Sequence, residues 1–520
     1  MQRSARVMAA LFLTAALWAC AGHPPGSEVH KTTSTAFAHP EQTPLGRQFA
    51  GEAHEHGDDS GFRIVSVGAD GFRIRMQMID AAQKTLDLQY YIFRGDVTGR
   101  LLTDSLARAA KRGVRIRLLI DDADTVPGDE QILRLLDLPS VEVRIFNPYG
   151  YRGHSKVMRD LDFLFHASRL DYRMHNKLFV VDNALAVVGG RNIGNQYFQI
   201  DPESQFADED VFTVGPMVAR LSGTFDEFWN SDLAIPAQAL GHVNPGLPAQ
   251  SGHPSAIDYT ALLETQEPFA GIVSGRLPLA WAQARVVHDS PDKKEVVEGA
   301  QRGRLIVGAV MDSARDVKSE ILMISPFFVP APDELQLLKD LRQRDVSVRI
   351  LTNSLESTPE IAAQSGYDRL RVPLLQEGAD LYEVRSRLGN ARGSGQTARV
   401  SRFGNYALHA KVYVFDRRRV FIGSMNYDQR SKHINTEIGL IIDSNELAQQ
   451  TAHRFEEMVK PENCYTLGLR ASTPSGVSPG LVWRTRENGA DVEYTREPAR
   501  SGWQRVEVKL LTVLPLEREL

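Results

Sequence analysis

Cysteine is scarce in this chain, which has only Cys20 and Cys464 among 520 residues. Cys20 lies at the expected cleavage point of a leader segment, so the remaining thiol has no partner for an internal disulfide. The fold must therefore rest on its hydrophobic cores. With 42% hydrophobic residues over this length, the composition is sufficient for two to three domains.

An excess of positive charge is also lacking. The chain has 60 Lys and Arg residues against 65 Asp and Glu residues, a formal net charge of −5. Residues 1–20 contain two arginines and no acidic residue, so the rest of the chain carries −5 − 2 = −7. Proteins that bind long tracts of nucleic acid are usually basic. Nucleic acid is therefore not an expected partner.

The N-terminal hydrophobic run is short. It extends from Val7 to Ala19, whereas a helix that spans a bilayer needs about 20 apolar residues. Arg3 and Arg6 precede it, which is the layout of a signal peptide. The sequence Leu17-Trp18-Ala19-Cys20 then resembles a bacterial lipobox, although Trp18 replaces the usual small residue. We expect export to the cell envelope and membrane anchoring through a lipid on Cys20.

One short constellation occurs twice in the chain. Both copies have the spacing His-x-Lys-x4-Asp, followed after six residues by Gly-Gly or Gly-Ser and then by an asparagine. The first copy consists of His175, Lys177, Asp182, Gly189, Gly190 and Asn192, and the second of His409, Lys411, Asp416, Gly423, Ser424 and Asn426. Identical spacing in two copies indicates an internal duplication.

Each copy is predicted to form a β-hairpin. The residues after the lysine are apolar and rich in Val, Phe and Tyr, which is typical of a strand. Residues at i and i+2 share one face of a strand, so His and Lys project together. The Asp marks a turn, and a second apolar run follows it. The hairpin therefore presents an imidazole beside an ammonium group.

This pair of side chains suits a phosphate better than a metal ion. Lysine supplies a positive charge and three donors to phosphate oxygens but is a poor metal ligand, and one histidine per copy is too few for a metal site. If the copies face each other, one neutral His attacks phosphorus and the other, as imidazolium, protonates the leaving alcohol. The expected phosphate-stabilising residues are Lys177, Lys411, Asn192, Ser424 and Asn426. No metal or other cofactor is expected.

Four carboxylates accompany the motifs. Glu437 follows the second hairpin and Asp210 follows the first, and we interpret both as the groups that orient the catalytic imidazoles. Asp182 and Asp416 complete the catalytic motifs. Because Asp at a hairpin turn is expected on local grounds, we interpret these two as turn-formers and packing anchors rather than proton carriers.

These motifs resemble the phospholipase D superfamily, whose signature is the paired His-x-Lys-x4-Asp motif. The flanking sequences RMHNKLFVVDNALAVVGGRNIGNQYF and HAKVYVFDRRRVFIGSMNYDQRSKHINTEIGL are similar to bacterial cardiolipin synthases of the C-type. The resemblance covers roughly residues 60–520. It implies a phospholipid substrate, a phosphohistidine intermediate and a membrane surface as partner. Gly190 departs from the superfamily pattern, which has a serine where the second copy has Ser424.

The duplication extends beyond the motifs. The apolar runs 86–93, 114–122 and 141–147 match 321–328, 346–353 and 379–385, and a helical run follows the first of each set. This alternation predicts an α/β fold with two equal halves, a pseudo-two-fold axis and one shared active-site cleft; the family implies a duplicated α-β-α-β-α sandwich. The expected segments are a signal peptide and lipobox (1–20), a flexible tether (21–60), a first repeat (61–232), a linker with a helical stretch or structured connector around 277–287 (233–300), a second repeat (301–445) and a C-terminal extension (446–520).

The C-terminal extension contains a predicted amphipathic helix. Apolar residues at 503, 506, 510, 511 and 514 make one stripe on a helix. Two interpretations remain open, a helix that lies in the bilayer interface and a helix that packs on the catalytic core.

The expected activity is phosphatidyl transfer of the cardiolipin synthase type. His175 is assigned as the nucleophile and His409 as the acid and base, with phosphatidylglycerol as acceptor and phosphatidylglycerol or phosphatidylethanolamine as donor. The alternative is a phospholipase D hydrolase that releases phosphatidic acid. A nuclease is disfavoured by the acidic charge, and a non-enzymatic envelope lipoprotein by the two intact His-Lys pairs.

Overall fold

A computed structural model describes residues 24–123, 132, 135–153, 155–200, 204–240, 267–387, 405–470 and 480–512. The predicted signal peptide, with Cys20, lies outside these ranges. The strands of the N-terminal half are β1 (Ser60–Val65), β2 (Thr85–Tyr90), β3 (Arg115–Asp121), β4 (Val141–Phe146), β5 (Leu178–Val181), β6 (Leu185–Gly189), β7 (Ser204–Ala207), β8 (Asp210–Val214) and β9 (Ala234–Pro236). Those of the C-terminal half are β10 (Ala280–His288), β11 (Glu320–Ile324), β12 (Ser347–Asn353), β13 (Asp380–Val384), β14 (Asn405–Leu408), β15 (Val412–Phe415), β16 (Arg419–Gly423), β17 (Ile438–Asp443), β18 (Cys464–Leu469), β19 (Leu481–Glu487) and β20 (Ala490–Tyr494).

Helices cover the strands. In the N-terminal half they are α1 (Pro44–Glu55), α2 (Gly68–Ala81), α3 (Val97–Lys111), α4 (Lys156–Phe165), α5 (Ala167–Leu170), α6 (Pro216–Asn230) and α7 (Phe269–Val273). In the C-terminal half they are α8 (Lys293–Val297), α9 (Ile306–Arg315), α10 (Pro332–Gln343), α11 (Ile361–Asp368), α12 (Arg371–Gln376), α13 (Gln429–His433), α14 (Asn445–Met458) and α15 (Gly502–Thr512). Short 3-10 helices occur at Pro40–Gln42 and Ala237–Leu240. Among the described residues, no helix is long and apolar enough to cross a bilayer.

The two halves have the same strand order. The first is β9-β4-β3-β2-β5-β6-β8-β1. The second is β18-β13-β12-β11-β15-β16-β17-β10, with β19 and β20 added beyond β18. In each half the three strands β2-β3-β4 or β11-β12-β13 are parallel and the others antiparallel. The prediction of a duplicated α/β fold with pseudo-two-fold symmetry is confirmed.

Strands β1 and β10 join the halves into one sheet. They pair antiparallel from Ser60 opposite Ala282 to Phe62 opposite Ala280. A second contact between the halves is the parallel pair of β7 and β14. One hydrophobic core includes Val180 and Val188 from the first hairpin together with Val412 and Ile422 from the second. The halves therefore share a core, which fixes the two hairpins relative to each other.

The prediction that residues 21–60 form a flexible tether is wrong for the part of this segment that the structure describes. Arg117 and Arg144, both buried, donate to the carbonyls of Ser34 at 2.9 Å and Thr32 at 2.7 Å. Residues 44–55 then form α1, which buries Phe49 against the first half. Low apolar content predicted a solvated segment, but its backbone carbonyls accept hydrogen bonds from guanidinium groups that also contact Asp87 and the Trp229 carbonyl.

The predicted helical stretch around 277–287 is also wrong. Residues 280–288 form β10, which pairs with both β1 and β17. A short apolar run fits a strand or a helix equally well, so periodicity alone did not separate them. Since β10 occupies the position of β1, the second repeat begins before residue 301. It also extends beyond 445, because α14 and β18 take the positions of α6 and β9.

Candidate active site

The backbone brings both motif histidines to the contact between the halves. The N–H of His175 donates to the carbonyl of Thr436 at 2.9 Å, and the N–H of His409 donates to the carbonyl of Ala207 at 2.7 Å. Each bond therefore links a motif histidine to the residue that precedes a carboxylate of the opposite half. Both imidazoles are largely buried, with 7% and 8% exposure of the residues.

Each imidazole is held by a carboxylate from the opposite half. His175 Nδ1 lies 2.8 Å from Glu437 Oε2 and 3.0 Å from Oε1. His409 Nδ1 lies 2.5 Å from Asp208 Oδ2. Because Nδ1 donates to the carboxylate in both cases, Nε2 of each neutral ring carries the free lone pair. Neither half alone contains a complete histidine-carboxylate pair.

Asp208, and not Asp210, is the orienting carboxylate of the first half. Asp210 Oδ2 instead accepts from Arg75 Nη2 at 2.9 Å, and Arg191 Nη1 lies 3.3 Å from it. All three of these side chains are buried. The prediction for Asp210 is therefore wrong, and this residue forms a buried ion-pair cluster behind the site.

The strand register explains the correction. Gly189 lies opposite Asp210, and Gly423 lies opposite Gly439. Two residues before these positions are Asp208 and Glu437, which are therefore equivalent. This equivalence requires the alignment of Asp210 with Gly439, which the strand register shows and the acidic run at 208–210 alone does not.

The same contact explains why the first copy has Gly190 where the second has Ser424. A Cβ at Gly190 would lie 2.1 Å from Asp208 Oδ1, so the short aspartate occupies the space that a side chain needs. In the second half the longer glutamate leaves that space open. Ser424 fills it and donates its hydroxyl hydrogen to Glu437 Oε2.

Ser424 is therefore not a phosphate ligand in this structure. A serine hydroxyl has one hydrogen, which goes to Glu437, and the hydroxyl oxygen accepts from the N–H of Ile438 at 3.0 Å. Ser431, which the sequence analysis did not assign, donates to the other oxygen, Glu437 Oε1, at 2.8 Å. Two serines thus fix the carboxylate that holds His175.

The two predicted asparagines keep unused polar atoms. Asn192 Oδ1 accepts from the N–H of Ile92 at 3.1 Å, while its buried Nδ2 has no hydrogen-bond partner. Asn426 is 5% exposed, and its Oδ1 also lacks a partner. Buried polar atoms are normally paired, so these two amides are suited to contact a bound molecule.

The motif lysines lie beside the histidines of their own half. Lys177 Nζ donates to the carbonyl of His175 at 2.6 Å, and Lys411 Nζ donates to the carbonyl of His409. Burial lowers the pKa of Lys177 well below its ordinary value, and Lys411 lowers it further. Burial also lowers the pKa of Lys411 to about 8. An anion between the lysines would relieve their repulsion and favour the charged form of both.

The electrostatics of the two histidine-carboxylate pairs differ. Burial and the neighbouring lysines lower the pKa of His175 well below its ordinary value, and burial followed by Lys411 lowers that of His409 to about 3. Burial raises the pKa of Glu437 to about 7. For Asp208 burial acts in the same direction, but His409 outweighs it and the pKa is lowered. His409 thus faces a fixed negative charge, whereas His175 faces a carboxyl group that titrates near neutrality.

Asp182 and Asp416 hold the far ends of the hairpins. The Asp182 carboxylate accepts from the N–H groups of Lys84 at 2.7 Å and Thr85 at 2.8 Å. The Asp416 carboxylate accepts from Ser319 N at 2.7 Å in the same way. Both residues have positive φ values, 53° and 52°. Both residues thus lie at turns and tie the hairpins to a neighbouring segment, in agreement with the interpretation as turn-formers and packing anchors.

Aromatic rings line the imidazoles. The ring of Tyr91 contacts His175 edge-on at a centroid distance of 4.9 Å, and that of Phe206 stacks on His409 at 5.2 Å. Lys177 Nζ lies 5.2 Å from the Tyr91 ring centroid. Phe206 lies outside both motifs, and the sequence analysis assigned it no role. The rings restrict how each imidazole can turn and exclude water around it.

A family model described as cardiolipin synthase, PLD-like domain matches residues 76–229 and 309–459. The chain belongs to this family. The two matched segments are the two symmetric halves, and each contains one His-x-Lys-x4-Asp motif, so the predicted resemblance is confirmed.

Individual relatives agree with this assignment. The chain is 37% identical over 476 residues to cardiolipin synthase C of Escherichia coli K12, covering 89% of this chain and 97% of the relative. It is 25% identical over 403 residues to the major cardiolipin synthase of Bacillus subtilis 168, covering 77% and 69%. A solved structure of phosphatidylserine synthase from Haemophilus influenzae matches with a TM-score of 0.51 at 13% identity, covering 81% of this chain and 92% of that one, and supports the fold.

Proposed function

We propose that this protein is a phosphatidyl transferase of the cardiolipin synthase type. It uses phosphatidylglycerol as acceptor and phosphatidylglycerol or phosphatidylethanolamine as donor. The observation that carries the proposal is the cross-paired site, in which each histidine of one half is held at Nδ1 by a carboxylate of the other. Family membership and the relative from Escherichia coli support the same reaction class.

The electrostatic asymmetry supports His175 as the nucleophile and His409 as the acid. A nucleophilic imidazole must be neutral, and His175 lies beside two lysines and a carboxyl group whose pKa is raised to about 7. An acid must hold a proton, and His409 lies beside Asp208, whose pKa is lowered. A bound phosphodiester adds a further negative charge, which raises the pKa of His409 towards the range that this role requires.

The reaction proceeds in two displacements. The Nε2 lone pair of His175 attacks phosphorus, and the phosphorus–oxygen bond to the donor head-group alcohol breaks. That oxygen takes the Nε2 proton of His409, which leaves a phosphatidyl group on His175. The hydroxyl of phosphatidylglycerol then gives its proton to His409 and attacks phosphorus. The phosphorus–nitrogen bond breaks, which restores both histidines and releases cardiolipin.

The remaining polar groups act on the phosphate oxygens. Lys177 and Lys411 supply positive charge from opposite halves, and the unpaired Nδ2 of Asn192 supplies a hydrogen-bond donor. Such groups stabilise the charge that develops on the equatorial oxygens during each displacement. Because the groups are buried and fixed before substrate enters, they need little reorganisation.

We also propose that the protein is exported and anchored in the bacterial cell envelope through Cys20. The support is the basic, apolar and Leu-x-Ala-Cys layout of residues 3–20. An anchor keeps the cleft near phospholipid, which is the abundant phosphodiester at a membrane. Metabolic labelling with a radioactive fatty acid tests this, since Cys20→Ala should abolish the label and a retained label would contradict the proposal.

Lipid mass spectrometry tests the activity. Purified protein is incubated with phosphatidylglycerol vesicles, with and without phosphatidylethanolamine. Cardiolipin should form with the wild-type protein and with His453→Ala, a control at an exposed histidine of α14, but not with His175→Ala or His409→Ala. Phosphatidic acid as sole product would instead show the hydrolase, and no turnover of either lipid would contradict the proposal. Dependence on phosphatidylethanolamine would identify it as the donor.

A further inference from the structure

Helix α4 is packed in an unusual orientation. An amphipathic helix on a protein surface normally buries its apolar stripe. In α4 the apolar stripe faces solvent instead. Its residues, at positions i, i+4, i+7 and i+8, are exposed by 68% (Val157), 40% (Leu161), 69% (Leu164) and 76% (Phe165). No residue of α4 is buried.

The inner face of α4 is polar and joins the helix to the protein through hydrogen bonds and a cation–π contact. Arg159 donates to the carbonyl of Asp122, and its guanidinium lies 4.1 Å from the Tyr149 ring. Asp162 Oδ2 accepts from the N–H of Tyr151 at 2.9 Å. A helix whose polar face binds the protein presents its apolar face to whatever lies outside.

Helix α15 has a similar exposed stripe on the opposite half. Its inner residues Gln504 and Val508 are buried, and neither belongs to the apolar stripe predicted from the sequence. Trp503, Val506 and Leu510, at i, i+3 and i+7, are exposed by 69%, 44% and 62%. The helix thus packs on the core with one face and leaves three residues of the stripe predicted from the sequence in solvent, which argues against core packing of that stripe.

Both helices are attached at equivalent places beside the cleft. Helix α4 binds Asp122, directly after β3, and the preceding Asp121 accepts the N–H of Met174 at 2.7 Å. Helix α15 binds the carbonyl of Leu355, just after β12, through Gln504.

The end of β12 makes the same kind of contact as Asp121 at the end of β3. Asn353, the last residue of β12, accepts the N–H of Leu408 at 2.8 Å. Met174 and Leu408 each precede a motif histidine. The pseudo-two-fold axis therefore relates the two attachment points across the active site.

We infer that the exposed faces of α4 and α15 are paired docking surfaces that enter the interface of a phospholipid bilayer on both sides of the cleft. This deepens the proposed function and rests on it, because a two-tailed lipid must leave the bilayer to reach His175. Tryptophan and phenylalanine are favoured at the boundary between lipid head groups and acyl chains. The exposed face of α15 has Trp503, and that of α4 has Phe165. The exposed Lys156 and Lys509 suit an anionic surface.

Quenching by brominated lipid tests the insertion of each helix directly. The full chain is bound to phosphatidylglycerol vesicles that contain phosphatidylcholine brominated on its acyl chains. The wild-type tryptophan emission should be quenched more than that of Trp503→Phe. In the Trp503→Phe background, Phe165→Trp should restore a quenched component. The control Gln343→Trp, at an exposed site where α10 ends, on neither helix, should not.

Equal quenching in the wild type, Trp503→Phe and Phe165→Trp would overturn the inference. The same result accompanied by a dimer in analytical ultracentrifugation would assign the apolar faces to a second copy of the chain. Because this readout needs no turnover, it remains decisive if the proposed activity is absent.

A matched set of charge substitutions separates docking from chemistry. Val157→Asp and Val506→Asp place a charge on the two surfaces, and Gln343→Asp places one elsewhere. The ratio of turnover on vesicles to turnover on monomeric short-chain phosphatidylglycerol should fall about tenfold for the first two variants, because each loses the burial of one valine side chain in the bilayer. It should stay at the wild-type value for the third. An unchanged ratio in all three overturns the docking role, whereas no wild-type turnover of either lipid counts against the proposed function.

Discussion

Asparagine substitutions at Asp208 and Asp210 separate an orienting carboxylate from a structural one. Only two residues apart, they make different contacts. Asp208 lies 2.5 Å from His409 Nδ1, whereas Asp210 lies 2.9 Å from Arg75 Nη2. The sequence analysis assigned Asp210 to the histidine, so the two variants decide between sequence and structure.

Asp208→Asn should reduce kcat strongly with little change in stability. Loss of a hydrogen bond to a charged group costs about 1.5–3 kcal/mol, which corresponds to a factor of roughly 10–100 in rate. The amide NH₂ also donates to Nδ1, which places the ring hydrogen on Nε2 of the neutral imidazole. In a serine protease this inverted tautomer costs about 10⁴ in kcat. We therefore expect a loss between about 10² and 10⁴.

Asp210→Asn should show the opposite pattern. It leaves a buried guanidinium with reduced compensation, which costs up to about 3–5 kcal/mol in the free energy of unfolding. Its folded fraction should keep most of its kcat, because Asp210 does not contact His409. Urea unfolding followed by circular dichroism and lipid mass spectrometry on each variant give the two quantities. The reasoning is refuted if Asp208→Asn keeps its kcat, or if Asp210→Asn loses kcat without loss of stability.

Three further predictions concern the same site. Because the pKa of Glu437 is raised to about 7 and its ionised form accepts from His175, the rate should rise with pH through about 7, and Glu437→Gln should remove that limb of the pH–rate profile along with most of the activity. Gly190→Ala should lower the rate much as Asp208→Asn does, since the new Cβ would lie 2.1 Å from Asp208 Oδ1. Ser424→Gly, which copies the first half, should lose roughly 10–100-fold in steady-state rate, as expected for loss of the hydrogen bond to the Glu437 carboxylate. Asp182→Ala should lower the free energy of unfolding in urea by about 1–3 kcal/mol per unsatisfied N–H while the folded enzyme keeps its kcat; a loss of kcat without loss of stability would contradict its role as an anchor.

The fold and the core of the site were predictable from the sequence because both are repeated. Two copies of His-x-Lys-x4-Asp, each on an apolar hairpin, indicate a duplicated structure without knowledge of any contact. The same local pattern indicated the turn role of Asp182 and Asp416. In each of these cases, a rule for neighbouring residues along the chain was sufficient.

The errors arose where the answer depends on contacts between distant segments. The choice between Asp208 and Asp210 depends on the strand register at Gly189 and on the approach of the second half, which one acidic run does not reveal. Residues 280–288 form a strand because β1 and β17 offer edges on both sides. Residues 32–34 are held because their carbonyls accept hydrogen bonds from the buried Arg117 and Arg144. None of these partners is near in sequence.

The orientation of α4 is a further case. Its apolar periodicity is present in the sequence, but periodicity does not tell whether the apolar face is buried or exposed. Only the contacts of Arg159 and Asp162 show that the polar face binds the protein. The proposed docking surface is therefore visible as a departure from the usual packing rule.

Trapping of the covalent intermediate tests the central claim most directly. The protein is mixed briefly with phosphatidylglycerol labelled with ³²P, quenched in alkali without exposure to acid, digested and analysed by mass spectrometry. The account predicts that the wild-type label lies on the peptide that contains His175. The label should accumulate in His409→Ala when the donor has a leaving group that needs no proton. It should be absent from His175→Ala. Label on His409 would reverse the assignment of roles. Cardiolipin formation with no label on either histidine would contradict the two-displacement mechanism.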